Sequence, residues 1–553
     1  MVGEDDHGPE PRHARRIDRR ALLRGAGAGV GLAALGAAAW GADDLLTSGP
    51  GRPTHQRTSR STPETPGTPA PLAVSDQPLP SGPVVPVARW VVEENQRPGT
   101  LGWVLAKPTT LYGYADRVSA VAGDTVTVYV DAPSMAYRVE LYRMGYYGGL
   151  GGRLVWESGE LPAQPQPRPV LAPGTNMIEC HWAPSLQVTV QPGWLQGMYL
   201  FKLVASDGTT DGYVPLCVRD PSSTAAFVVM SAVTTWQAYN TYGGYSLYTS
   251  PAGVPGRSRV VSYDRPYQHP DVANDFFGNE FPLVYMAERL GLDVTYITSV
   301  DLHRHPTFLL GTRCMFSLGH DEYWSATMRD AATSARDSGV NLAFLGANAC
   351  YRHIRFAASP LGPDRHQICY KDRFMKQDPM WGVDPAEVTA NWPSGPDPRP
   401  EQTLIGEQYS DIAADADMVV VDPGAWVFAG TGVTAGQHLP KAVQGEYDNY
   451  QSYTPGPRNV TILCHSPVLN RGPGRVSDMT YYTQPGGGGV LATGDAAFVD
   501  LLTDAPHIPG AVSPPRPGVT PVFQRLMENV FSVFGAGPAS VSQPSTANWQ
   551  QFY

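Results

Sequence analysis

The chain has 553 residues with 51 acids against 40 Lys and Arg, a formal charge of −11. It lacks the clustered basic face that phosphate contacts demand, which excludes nucleic acid as a partner. Its six cysteines, Cys180, Cys217, Cys314, Cys350, Cys369 and Cys464, are far apart with no CxxC pair, which argues against a zinc knuckle or a dithiol redox centre.

Residues 1–40 carry Arg15-Arg16, then Asp18-Arg19-Arg20-Ala21-Leu22-Leu23, then a weakly apolar Gly/Ala segment. This resembles a twin-arginine export signal, and the apolar segment is too short for a stable transmembrane span. Export of an already folded chain to the cell envelope or the medium is the expectation, and a first hint of a metal. The leader holds six Arg against five acids, net +1, so the mature chain stands at −12. Residues 41–87 are rich in Pro, Thr, Ser and Gly, a composition that buries too little surface to offset ordering entropy. They read as a flexible stalk, suited to a cell-surface tether.

From 88 to 222 short runs of period two recur. They include Thr125-Val126-Thr127-Val128-Tyr129-Val130, Tyr137-Arg138-Val139-Glu140-Leu141-Tyr142, Leu186-Gln187-Val188-Thr189-Val190 and Tyr199-Leu200-Phe201-Lys202-Leu203-Val204. The series predicts an antiparallel sandwich, immunoglobulin-like in type. From 223 to 536 the grain changes. Buried strands at Ala226-Phe227-Val228-Val229-Met230, Asp293 to Ile297, Cys314 to Leu318, Val340 to Leu345 and Gly489 to Thr493 are interleaved with helices over Pro282 to Leu290 and Ser325 to Ser338, and a C-terminal helix bears Val522, Phe523, Leu526, Met527, Val530 and Phe531. That alternation predicts an open, mostly parallel α/β domain of the glutamine-amidotransferase or flavodoxin type. Residues 537–553 read as a tail.

In such a sheet ligands bind at the carboxyl ends of the strands. Tyr239 follows the first strand, Asp301 the second, His320 and Glu322 the third and Asn348 the fourth, so one sheet edge gathers all of them. The densest point is Ser317-Leu318-Gly319-His320-Asp321-Glu322-Tyr323-Trp324, where strand, polar turn and helix follow in order. A helix start with an acidic pair against the dipole is the competing reading of that turn. His-x-Glu also opens the zinc deaminase signature, but no Pro-Cys-x-x-Cys follows. HExxH and GxSxG are absent, which disfavours zincin and acyl-enzyme chemistry. What is left is a carboxylate, an imidazole and many tyrosines, 27 against 16 Phe. Tyr suits sheet surfaces, and phenolates also suit a hard metal ion.

Six ordered segments carry a resemblance: Glu94 to Thr100, Tyr142-Arg143-Met144-Gly145-Tyr146-Tyr147-Gly148-Gly149, Thr235-Trp236-Gln237-Ala238-Tyr239-Asn240, Ser262-Tyr263-Asp264-Arg265-Pro266-Tyr267, Gly319 to Trp324, and Arg399-Pro400-Glu401. Over residues 91–403 the chain resembles the family of the large (beta) subunit of N,N-dimethylformamidase, in its C-terminal catalytic part. The resemblance implies hydrolysis of a C–N amide bond at a mononuclear ferric iron, with Tyr199, Tyr239 and Glu322 as ligands. It also implies His320, Asn348, Lys371 and Glu446 as catalytic companions. Tyr199 lies on a sandwich strand, so the implied metal falls between the two domains. The substrate expected is a small or exposed amide, and a homo-oligomer is compatible with this reading. Unlike the dimethylformamidase pattern, this chain carries a leader and a stalk and encodes no small subunit. A secreted, non-catalytic module binding a glycan or wall polymer is the alternative, and a metal-free hydrolase using His320 with Asp301 or Glu446 is a third reading.

Overall fold

The computed structural model describes residues 85–105, 111–208, 210–268, 271–503 and 518–553. The expected leader and nearly all of the stalk lie outside the described residues. Among the described residues no helix is long and apolar enough to cross a membrane.

The alternating runs of the first half build two sheets around one core. Tyr112–Ala115, Thr125–Asp131 and Leu186–Thr189 form a three-stranded sheet. Ser119–Ala120, Asp211–Val218, Gly197–Ala205, Tyr137–Met144 and Gly152–Glu157 form a five-stranded one in that spatial order. Val126, Val128, Val139, Leu141, Phe201 and Leu203 pack between them. The strand Gly197–Ala205 is buried along its whole length, so both its faces meet a core. Tyr199, Phe201, Leu203 and Ala205 enter the sandwich interior, whereas Met198 and Leu200 join the core of the next layer.

That layer is a seven-stranded sheet of β1 (Phe227–Ser231), β2 (Val294–Thr298), β3 (Cys314–Gly319), β4 (Asn341–Gly346), β5 (Thr461–Pro467), β6 (Val476–Thr483) and β7 (Gly489–Ala492). Its order is β2-β1-β3-β4-β7-β6-β5. The first five strands in that order run parallel, and β6 and β5 add an antiparallel edge. Alternation sorts the side chains. Phe227, Val229, Phe316, Leu345 and Leu491 face one side, with helices α2 (Phe281–Arg289) and α4 (Thr520–Ala536). Val228, Met230, Met315, Phe344 and Val490 face the other, with α3 (Ala326–Asp337). Both faces are covered, which explains the unbroken apolar runs.

Three features depart from the expectation. The turn after β3 does not lead straight into a helix: Tyr323–Ser325 first forms a short strand parallel to Arg352–Ser359. That strand joins a second sheet with Gly362–Ile368 and Val260–Ser262. Ser325 then caps α3, accepting from Met328 N. The helix Arg89–Asn95 is packed against α2 rather than within the sandwich, with Asn95 Nδ2 donating to Glu288 at 2.9 Å. Residues expected as a tail fold back: Trp549 lies 5.3 Å from the Tyr450 ring, and Tyr553 Oη donates to Asp478. All six cysteines are buried and unpaired.

Candidate active site

The carboxyl ends of β3 and β4 lie side by side, with Gly319 paired to Gly346. Gly319 adopts φ +56°, and a Cβ there would fall 2.4 Å from Asn279 Cβ. At Gly346 a Cβ would fall 1.7 Å from the Gly319 carbonyl oxygen. Both positions therefore require glycine, and the tight exit delivers residues 320–322 to the sheet edge. The backbone of this turn is pinned: Glu322 N donates to Thr235 Oγ1 at 3.0 Å, and Glu322 O accepts from Tyr351 N and Arg352 N. Asp321 turns inward to Ser317 Oγ at 2.8 Å, which leaves His320 and Glu322 on the site.

Glu322 is the buried floor, 1% exposed. Tyr239 Oη, from the end of helix α1 (Val233–Tyr239), donates to its Oε2 at 2.9 Å. Tyr248 Oη approaches both carboxylate oxygens, at 2.8 and 2.7 Å. The two phenol rings stack 4.1 Å apart. Arg352 Nε donates to Oε1 at 3.1 Å. Burial works against the Glu322 charge, but His320, Arg352 and Lys371 outweigh it and hold the carboxyl below its ordinary range. Burial and then Glu322 push the phenols of Tyr239, Tyr248 and Tyr323 well up, so they carry their protons.

His320 bridges two carboxylates, with Nε2 3.5 Å from Glu322 Oε2 and 3.4 Å from Glu446 Oε2. Burial disfavours the imidazolium, yet Glu446 and then Glu322 overcome it and raise His320 to about 9. Glu446 arrives on a long hairpin, Gln408–Val419 with His438–Asn449. Asn348, at φ +56° just past β4, donates from Nδ2 to Glu446 Oε2 and lies 3.4 Å from His320 Nε2. Its Oδ1 is buried without a hydrogen-bond partner among the described residues. Lys371 is buried behind Tyr248, its Nζ 3.0 Å from that ring's centre and 3.3 Å from Tyr323 Oη. Burial, then Arg352, lowers Lys371 to about 7. Tyr323 Oη in turn donates to Tyr248 Oη at 2.7 Å, a chain of groups from Lys371 to Glu322.

The structure thus brings together Tyr239, His320, Glu322, Asn348, Lys371 and Glu446, and it does not bring Tyr199. That side chain is in the sandwich core, stacks on Trp194, and donates from Oη to Leu195 O. Period two decides this: Tyr199 shares its strand face with Phe201 and Leu203, away from the α/β layer. Asp301 is also elsewhere, closing the cap of the helix Ser299–Arg304 and bonding Ser119 Oγ at 2.6 Å. Sequence reasoning missed Tyr248, Arg352 and Asp448, the last of which accepts the Asn348 N–H on both oxygens at 2.9 and 3.0 Å. Tyr248 lies in irregular chain without periodicity. Asp448 stands two residues beyond Glu446 on one strand, the spacing that returns a side chain to the same face.

His320, Tyr239, Tyr248 and Glu446 are only half-buried, while Glu322 beneath them is sealed. The arrangement is a shallow bowl able to hold oxygen-bound chemistry at its floor and to move a proton at its rim. Among curated proteins, none matches the chain significantly. The model of the family described as N,N-dimethylformamidase beta subunit-like, C-terminal, matches residues 138–509, which span β1 to β7 and every residue of the bowl. Membership points to a dimethylformamidase-like hydrolase, and the chain belongs to the N,N-dimethylformamidase beta subunit-like family.

Proposed function

We propose that this chain hydrolyses a C–N amide bond of a small or exposed amide with a bound metal ion, iron in the first instance. The observation that carries the reading is the convergence of Tyr239 Oη and Tyr248 Oη on the buried Glu322 carboxylate, beside a His320 shared with Glu446. Among the described residues no group of three His, Cys, Asp or Glu is arranged for a metal, so an ion here rests on phenol oxygens. The donor set fits. Two hydroxyl protons aimed at one carboxylate are protons that a hard cation displaces, and its charge favours the phenolate that burial alone opposes. Tyr239, Tyr248 and Glu322 would hold it, with Tyr199 left out.

When bound, the ion supplies Lewis acidity and lowers the pKa of water. The chain's own residues do the rest. His320 Nε2, held charged between its two carboxylates, gives a proton to the leaving nitrogen and recovers one from the attacking water. Glu446 orients that ring. Asn348 Oδ1, an acceptor with nothing to accept from, receives an N–H or water hydrogen in the bowl. Lys371 and Arg352 keep Glu322 ionised.

We also read the sandwich as immunoglobulin-like and the α/β layer as of the glutamine-amidotransferase or flavodoxin type, supported by pairing that is antiparallel in the one apart from Ser119–Ala120 beside Asp211–Val218, and by five parallel strands in the other. Residues 1–40 suit delivery outside the cytoplasm by the twin-arginine route, which fractionation of a variant with Arg15, Arg16, Arg19 and Arg20 all replaced by Lys tests.

Metal analysis and visible absorption of the freshly purified chain, with N,N-dimethylformamide as first substrate, test the main reading. Near-stoichiometric iron with a phenolate charge-transfer band is expected, reduced or shifted in Tyr248→Phe and unchanged in Tyr199→Phe. Full activity after complete metal removal would overturn it in favour of the His320–Glu446 pair acting on water alone.

A further inference from the structure

A cleft of about 280 Å³ lies between the sandwich and the α/β layer. Four guanidiniums line it, Arg117 and Arg219 from the sandwich side, Arg304 and Arg365 from the other. Three of these are anchored through Nε, to Asp116, Asp364 and Asp264 respectively for Arg117, Arg304 and Arg365. Beyond that, Arg304 Nη2 meets Pro363 O, and Arg365 Nη2 meets Ala115 O and Tyr263 O. Nη1 of both has no hydrogen-bond partner among the described residues. Arg219 is satisfied least. It is ion-paired to Asp301 Oδ1 at 3.2 Å, but its buried Nε makes no hydrogen bond. Asp301 is already taken by Ser119 Oγ, Thr298 N and Thr298 Oγ1.

The carboxylates lining the cleft are occupied in turn. Asp116 and Asp364 hold arginines, and Asp124 Oδ2 accepts from Val121 N at 3.1 Å and pairs with Arg117 at 3.3 Å. What the cleft has left over is donors. A cation would find no free carboxylate there, whereas an oxyanion can take planar, charge-assisted hydrogen bonds from guanidiniums without displacing an existing partner. The volume lies at the small end of ligand pockets.

We propose that this cleft binds a small oxyanion, a carboxylate- or phosphate-bearing compound, through the unspent Nη groups of Arg219, Arg304 and Arg365. The site uses none of the residues around Glu322 and is independent of the reaction proposed there. Arg219 follows the last sandwich strand, and Arg304 ends a helix of the α/β layer, so the ligand fastens the two layers and raises the melting temperature by mass action.

Calorimetric titration of the whole chain at low ionic strength, with citrate and with inorganic phosphate, tests this. A saturable single site is expected for at least one of them, together with a higher melting temperature. Arg219→Lys keeps the charge beside Asp301 but loses the planar fork, and should weaken binding about tenfold or more. Arg304→Ala should do the same without removing a buried group, and carries the test if Arg219→Lys folds poorly. Arg89→Ala, at a side chain 89% exposed, should change nothing. Binding of phosphate alone or of citrate alone identifies the source of the oxyanion. No saturable binding of either up to about 50 mM, a concentration well above any useful affinity, overturns the proposal, as does an affinity in both arginine variants equal to that of the unsubstituted chain.

Discussion

Glu288 and Glu322 are both buried, and each is met by an arginine and by tyrosine, one hydroxyl at Glu288 and two at Glu322. Around Glu288 everything is closed. Arg143 grips it with both Nη groups at 2.6 and 2.9 Å, Tyr296 Oη and Asn95 Nδ2 complete it at 2.8 and 2.9 Å, and both charged side chains are 0% exposed. Arg143 comes from a sandwich strand and Glu288 from α2, so the pair is a joint between layers. Around Glu322 the same residue types are arranged loosely. Arg352 reaches it through Nε alone, the tyrosines are half-buried, and a histidine and an unpartnered amide oxygen stand beside it. A polar cluster that is complete holds the fold, and one left incomplete and open is where chemistry is done.

Exchanging the two losses tests that contrast most strongly. Glu288→Ala strands the buried Arg143 charge and should cost about 3–5 kcal/mol in denaturant unfolding. Glu322→Ala leaves Arg352 with Asp372 and Asn391, so about 1–2 kcal/mol is expected, together with loss of amide hydrolysis and of bound metal. If Glu322→Ala proves the more destabilising of the two, the comparison fails. His320→Ala sharpens it from the open side. A drop in kcat of about 10²–10⁴ should come with a fall in stability smaller than that of Glu288→Ala, because the imidazolium is only half-buried and its contacts with the two carboxylates are 3.4 and 3.5 Å long.

A second histidine, one residue past Arg352, sits in a fully closed setting. His353 is buried, stacks 4.2 Å from Trp392, and bonds Val388 O through Nδ1 at 3.1 Å. Burial lowers it from 6.5 to about 4. Between those values the unfolded chain binds a proton that the folded one refuses, so stability rises with pH across that window and falls on acidification. The span corresponds to about 3 kcal/mol, and His353→Gln should flatten it in unfolding measured from pH 4 to 7.

Why some of this was legible in the sequence and some was not follows from side-chain geometry. The runs at Phe227, Cys314 and Asn341 are apolar on both faces because helices cover both, and once they are placed in one parallel sheet, Tyr239, His320, Glu322 and Asn348 follow as a common edge. Lys371 and Glu446 came only with the family resemblance, since one follows the second sheet's strand Gly362–Ile368 and the other lies on a hairpin, at positions that no local period encodes. Tyr199 was misplaced by the same resemblance, although its alternation with Phe201 and Leu203 points it inward. Tyr248 and Arg352 were invisible. One follows an irregular turn, and the other reads as an ordinary strand arginine until Tyr323–Ser325 is seen to pair beside it.

The smallest expected effect, and the most discriminating, concerns Asp448. Glu446 and Asp448 lie two apart on one strand and hold Asn348 from both ends, Glu446 at the side-chain amide and Asp448 at the backbone N–H. Asn348 pays for its φ of +56° with a conformation that costs about 1 kcal/mol outside glycine, and the Asp448 bond compensates for it. Burial, then Glu401 and Glu446, push the Asp448 carboxyl well above its ordinary range against the pull of that N–H, so a neutral amide is a close stand-in. Asp448→Ala should therefore let Asn348 relax and lower kcat about 10–100-fold, the scale of a small misplacement near a reacting group, with KM little changed. Asp448→Asn keeps an oxygen acceptor and should recover most of the loss. A purely packing role predicts instead that melting temperature falls in Asp448→Ala while kcat per folded molecule does not. Equal loss of kcat in both variants would mean that Asp448 acts through its acid proton, and the distinction drawn above between closed and open polar clusters would then have to extend one residue deeper into the core.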